Sequence, residues 1–226
     1  MRRGKLEEMK KIVVFHGAPG AGKGTAAAAV APAVGARHVS TGAMLRDAVS
    51  RGTPAGVEAK SYMDAGSLVP DEVLCKMISE LLAATPDGAV LFFDGFPRNV
   101  AQAEALSGLA AGGGAEVAGA VCLVVSKAAL LERLGGRRVC PKCGAGYHVA
   151  TLPPKREGIC DKCGAELAVR ADDQPATIAH RLEVYESATA PVIGFYEKAG
   201  TLRRVDASGS AAEVAALVES AVKALV

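Results

Sequence analysis

"KIVVFHGAPGAGKGT", residues 11–25, is the stretch on which the fold turns. The apolar run 11–16 reads as a strand buried on both faces. Behind it comes a glycine-rich turn that opens the helical run "TAAAAVAPAV". Glycines 17, 20, 22 and 24 let the backbone come close to an anion, and the helix that follows adds its positive end. Lys23 supplies a point charge for phosphate oxygens, and Thr25 offers a hydroxyl to phosphate or magnesium. The general phosphate loop, G-x-x-x-x-G-K-[ST], puts a hydroxyl straight after the lysine. Here Gly24 takes that place and Thr25 follows.

Outward from this loop, residues 89–94, 118–126 and 201–206 read as further strands, and 37–40 as a weaker one. Helical patterns cover 41–50, 55–65, 70–84, 99–110, 127–134, 175–199 and 210–225. This alternation predicts an α/β fold in three layers, with a five-stranded parallel sheet between helices. Ligands then bind beyond the carboxyl ends of the strands, where the loop lies. Two segments break the rhythm, 40–69 and 136–173, and read as small lobes on a core of 11–39, 70–135 and 174–226. Residues 110–119, "AAGGGAEVAG", read as a flexible surface connection. Met9 followed by "KKIVVFHGAPG" is a natural beginning, so residues 1–8 read as a disordered extension or an upstream start, and 1–10 are set apart as an N-terminal extension before the domain at 11–226.

Half of the 226 residues are hydrophobic, enough for a sizeable core, and the net charge is +2. That balance points to neither nucleic acid nor a membrane surface. No apolar run is long enough to span a bilayer. Four of the six cysteines form "CPKC" (Cys140, Cys143) and "CDKC" (Cys160, Cys163). Their spacing, C-x2-C-x16-C-x2-C, is that of a zinc site rather than of two disulfides. Cys75 and Cys122 lie in apolar runs and read as buried thiols. A cytoplasmic protein is expected.

The loop does not choose between hydrolysis and transfer. "STGAMLR" (40–46), "MDAGSLVPDE" (63–72), "DGFPRN" (94–99), "LLERLGGRR" (130–138) and "RADDQPATIAHRLEVY" (170–185) follow it in order. Together they resemble adenylate kinase in its long-lid, zinc-bearing bacterial form, from about Lys10 to the C-terminus. The resemblance implies transfer of a phosphoryl group from MgATP to AMP, giving two ADP, by a monomer. It implies an AMP-binding insert at 40–69 and a zinc-bearing lid at 136–173. Gly20, Ala21, Gly22, Lys23, Gly24 and Thr25 would hold ATP phosphates, with Arg133, Arg137, Gly146, Tyr147 and, more weakly, Gly209 on the ATP side. Thr41, Arg46, Ser67, Leu68, Val69, Gly95, Phe96, Pro97, Arg98 and Gln102 would line the AMP side, Gln102 reading an adenine edge. Arg170 and Arg181 would clamp phosphates as the lid closes. Asp94 would orient magnesium-bound water, with Thr25 the other magnesium candidate, and Asp172 and Asp173 would pin the lid hinge.

Fixed cations are what such a reaction needs, because two polyanions meet and the moving group is itself negative. Lys23, Arg98, Arg133, Arg137, Arg170 and Arg181 are the candidates for that work. Ala43, His16 and Ala179 depart from the family pattern, where an acidic, an apolar and a basic residue respectively are usual. His16 reads as a satisfied histidine at a strand end. A kinase for another nucleoside monophosphate would use the same loop and arginines. A nucleic-acid-binding ribbon on a phosphate-loop domain is the alternative of a different class, and the near-neutral balance and scarce aromatics weigh against it.

Overall fold

The computed structural model describes residues 9–226. Five parallel strands form the central sheet: β1 (Lys10–His16), β2 (Ala36–Ser40), β3 (Val90–Asp94), β4 (Ala115–Val124) and β7 (Leu202–Asp206). Their order is β2-β3-β1-β4-β7, so β1 and its loop lie at the middle. Strand residues alternate between faces. Ile12, Val14, Leu91 and Phe93 pack on one side with α4 (Asp71–Ala83) and α5 (Val100–Gly112). Val13, Phe15, Phe92 and Val121 pack on the other with α1 (Lys23–Val30) and α9 (Ala211–Lys223). None of these strand side chains is more than 2% exposed, which is why the runs show no polar alternation.

The 40–69 region carries α2 (Thr41–Ser50) and α3 (Pro54–Ala65), N-capped by Ser40 and Thr53. After α6 (Lys127–Gly136) the chain enters a short antiparallel pair, β5 (Arg137–Val139) with β6 (Gly146–His148), which the sequence reading does not foresee. Three expectations are corrected. Lys10 belongs to β1, is buried and pairs with Asp87 at 2.8 Å; residues 1–8 of the expected extension lie outside the described residues. The supposed flexible connection already enters β4 at Ala115, because only Gly113 and Gly114 are needed for the turn. The expected helix over 175–199 is divided: α7 (Pro175–Val184), a π turn (Tyr185–Thr189) and α8 (Pro191–Lys198). Pro191 has no N–H to continue a regular ladder, and Ala190 N reaches back to Tyr185 O at 2.7 Å.

Candidate active site

The phosphate loop leaves the end of β1 and closes on α1. Its lysine turns back on the loop: Lys23 Nζ donates to Gly17 O at 2.7 Å and Ala18 O at 2.9 Å. The place of Gly24 is explained by β3. A Cβ there would stand 2.9 Å from Asp94 Oδ2, so a serine or threonine straight after the lysine would collide with that carboxylate. The hydroxyl moves one place on, to the exposed Thr25. Burial works to raise the Asp94 carboxyl, but His38, Lys23 and Arg98 hold it below its ordinary value. His38 Nε2, on β2, lies 3.6 Å from Asp94 Oδ2. A charged oxygen ligand beside a phosphate loop fits the needs of magnesium.

Beyond Asp94 the chain turns through Gly95 and the cis Phe96–Pro97 bond to Arg98. Arg98 Nε donates to Gly95 O at 2.8 Å, and Thr41 Oγ1 donates to Asp94 O at 3.3 Å. Phe96 and Val69 send their side chains into the core, so what they present to the cleft is backbone. Pro97, Leu68, Lys23, Arg98 and Arg181 line one cavity. Gln102 is fully buried, and both ends of its amide are engaged. Its Oε1 accepts from Arg98 N at 2.6 Å, and its Nε2 donates to Asp71 Oδ1 at 2.6 Å. In this structure Gln102 therefore supports Arg98 instead of offering an open edge. Asp71 and His38 are the supporting residues that the sequence reading misses. Their only signal was position, Asp71 opening α4 after Pro70 and His38 two places before the end of β2.

On the other side, Arg133 donates to Ala207 O at 2.8 Å and Ala21 O at 3.4 Å, bracing the loop against the chain leading to the exposed Gly209. Arg137 makes a two-pronged contact with Asp173, 2.7 and 2.5 Å, and Arg181 meets the same carboxylate at 2.7 Å. Asp172 reaches Arg181 at 3.0 Å. The two aspartates thus join Arg137 on β5 and Arg181 on α7.

Cations crowd this cleft. Burial lowers Lys23 to about 8, with Asp94 opposing and Arg98, Arg181 and Arg137 adding to the shift. Burial lowers Arg170 to about 10, helped by Arg46 and Arg137. Arg46 and Arg98 are lowered as well, again chiefly by burial. Arg170 Nε is buried and has no hydrogen-bond partner among the described residues. Such a field suits a highly charged anion.

In the lid, the sulfurs of Cys140, Cys143, Cys160 and Cys163 all lie within 4.8 Å of one another. Cys140–Cys163 and Cys143–Cys160 stand at 3.3 and 3.5 Å. Each pair begins a tight turn, Gly144 N donating to Cys140 O and Gly164 N to Cys160 O, both at 2.9 Å. The set fits a tetrahedral metal with thiolate ligands. Tyr147 is buried beside it. Its hydroxyl lies 3.5 Å from Cys160 Sγ and pulls that thiol down to about 6. The hydroxyl of Tyr147 therefore serves the cysteine cluster, while Gly146 beside it is exposed. Cys122 is buried as expected, but Cys75 is only partly so. No helix among the described residues is long and apolar enough to cross a membrane.

Residues 15–201 match the family model described as adenylate kinase. The chain is 49% identical over 198 residues to the adenylate kinase of Syntrophobacter fumaroxidans, covering 88% of this chain and 93% of that one. It is 46% identical over 215 residues to the adenylate kinase of Carboxydothermus hydrogenoformans, covering 95% and 100%. With that of Thermodesulfovibrio yellowstonii the identity is 48% over 202 residues, covering 89% and 94%.

Proposed function

The chain belongs to the adenylate kinase family and catalyses reversible phosphoryl transfer between ATP and AMP, giving two ADP; on that premise we propose how its own residues carry the reaction. The observation that supports the assignment most is the convergence of Lys23, Arg46, Arg98, Arg137, Arg170 and Arg181 from six separate segments on one cleft. ATP phosphates lie along residues 20–25, within reach of Lys23. Arg133, Arg137, the backbone of Gly146 and Tyr147, and Gly209 flank that side. AMP takes the side of Thr41, Arg46, Ser67, Leu68, the Val69 backbone, and residues 95–98. Gln102 contributes there by holding Arg98 and Asp71, and turns an amide edge to adenine only if those bonds give way.

AMP's phosphate is already an oxyanion, so no general base is required. The arginine forks hold phosphate oxygens in pairs and remain charged through the transfer. Arg170 belongs to the lid of 136–173 and Arg181 faces it from α7; closing the lid over the core brings both to bear on the phosphates and excludes water. Magnesium arriving with ATP neutralises phosphate charge, and Asp94, through water, and Thr25 would hold it. The four lid thiolates would hold zinc. Four thiolates would fill a tetrahedral shell and leave no open position for substrate, so the part of the zinc would be structural. The active unit in this reading is a monomer, as the family resemblance implies. Six thiols, four of them ligands, support a reducing compartment, the cytoplasm.

Coupled ADP formation from MgATP with AMP, CMP, UMP and GMP in turn tests this reading, with zinc measured on the same sample. AMP should turn over fastest, and ATP hydrolysis without AMP should be slow. An ATPase rate equal to the transfer rate would defeat the assignment.

A further inference from the structure

His16, Tyr185 and Thr189 line the cleft without a part in the chemistry above, and of these His16 stands directly before the phosphate loop. It ends β1, one residue before the phosphate loop, and is 2% exposed. Its ring lines the same cavity as Lys23, Arg98 and Arg181. Its Nε2 lies 3.1 Å from Thr189 O, a contact between residues 173 apart in the chain. A carbonyl only accepts, so Nε2 carries the proton. The ring is neutral there: burial and then Lys23 push it down to about 4, with Arg98 adding to the shift. The other titratable neighbours, Tyr185 across a 6.1 Å ring separation and Cys122 at the paired position on β4, are both raised and uncharged.

The partner carbonyl belongs to the π turn. In a regular helix the amide of Ile193 would meet Thr189 O. Here Ile193 N also reaches Ala190 O, at 3.0 Å, so the ladder is irregular where the Thr189 carbonyl meets the His16 side chain. Buried carbonyls need a donor. The same turn begins on Tyr185, whose N–H closes the last turn of α7 on Arg181 O. A single hydrogen bond thus connects the strand end before the phosphate loop to the turn directly behind Arg181.

We propose that His16 is a positioning residue for phosphoryl transfer: by donating from Nε2 to Thr189 O, it fixes the π turn, and with it Arg181, in register with the phosphate loop and Lys23. The proposal rests on the reading of the cleft as the phosphoryl-transfer site. It requires a donor at the place of Nε2, not a titrating group and not merely a side chain of that volume.

Three variants of the full chain separate these needs. His16→Leu fills the space without a donor, His16→Gln places an amide N–H near the position of Nε2, and His16→Asn places one near Nδ1. Steady-state transfer from MgATP to AMP is measured with amide hydrogen exchange of residues 185–193 in the nucleotide-free protein. His16→Leu should lose roughly 10- to 100-fold in kcat with KM little changed, because a displaced cation harms the transfer step. It should also exchange faster across the π turn. His16→Gln should stay near the parent in both readouts, and His16→Asn should follow His16→Leu. The proposal is overturned if His16→Leu matches the parent in kcat and exchange, or if His16→Gln is as impaired as His16→Leu. Should His16→Leu fail to fold, the Gln and Asn variants decide, and equal behaviour of those two overturns it. A parent protein that makes no ADP from MgATP and AMP sinks the functional reading instead, and the exchange data still judge the tie on their own.

Discussion

The cleft and the lid face the same difficulty and resolve it differently. Each gathers like groups that repel or compete: six cations in the cleft, four thiols in the lid. The cleft rests on β1 and β3, where Ile12 to Phe15 and Leu91 to Phe93 are 0–2% exposed, so the core holds Lys23 and Arg98 at its strand ends while Arg137 and Arg170 reach in from the lid. The lid buries only Cys140, Tyr147 and Cys160 as a cluster of its own, and leaves Val149 and Leu152 each 54% exposed. Too little apolar surface is covered there to order the segment by burial alone. The comparison teaches that the core supplies the fixed base of the site, while the lid would owe its shape to a crosslink through the metal proposed for its four thiolates.

The strongest way to break this contrast is to remove a cation from the cleft. Arg98→Ala should lower kcat/KM by roughly 100- to 1000-fold, about 3–4 kcal/mol, since it deletes a donor aimed at developing charge. The melting temperature should move little. Steady-state kinetics with a loss below tenfold would place Arg98 away from the chemistry.

Acid sharpens the contrast next. His16 titrates at about 4 when folded, against an ordinary 6.5. Below 6.5 the unfolded chain takes up a proton that the folded chain refuses until about 4. Stability therefore falls as pH drops through that window and returns as pH rises. The contribution of this one ring reaches about 3 kcal/mol at the acid end. His16→Gln shares every other acid effect, including protonation of the lid thiolates. Urea titrations at pH 7 and pH 4.5 should thus show a smaller loss for the variant than for the parent; equal losses would remove His16 from the account.

Gly24→Ala tests the crowding of the cleft. The added methyl meets Asp94 Oδ2 at 2.9 Å, and overpacking of this kind costs about 1–3 kcal/mol. Because the collision falls on the carboxylate placed for magnesium, the magnesium concentration needed for half-maximal rate should rise. An unchanged magnesium dependence would separate Gly24 from Asp94.

The smallest effect on chemistry is expected in the lid. A Cys143→Ser, Cys160→Ser double variant should bind less zinc and melt several degrees lower, as a loss of about 2 kcal/mol does in a chain of this size. Transfer at low temperature should persist at a reduced rate. A variant that lost zinc yet melted with the parent, or a folded metal-free form with no activity at all, would collapse the division between cleft and lid.

Much was legible from the chain alone, for a local reason. A strand, a glycine turn and a helix in succession, a C-x2-C repeated, and an arginine beside a glycine–proline turn are written in neighbouring residues. Lys23, Arg98 and the four cysteines could therefore be named before their geometry was known. Other features depend on which distant segments meet. Gly24 is required because Asp94 arrives from another strand. Gln102 is closed off because Asp71 and the Arg98 amide meet it first. Tyr147 turns its hydroxyl to Cys160. The break in the last long helix is half-written in Pro191, but its use is not, since the donor for the Thr189 carbonyl comes from the first strand of the sheet. By itself the sequence determined the kinds of groups, their order and the local turns that present them. Only the tertiary structure decided which of those groups are consumed in holding one another and which are left to face a ligand, because a hydrogen-bonding atom that finds a partner within the fold has that much less to offer outside it.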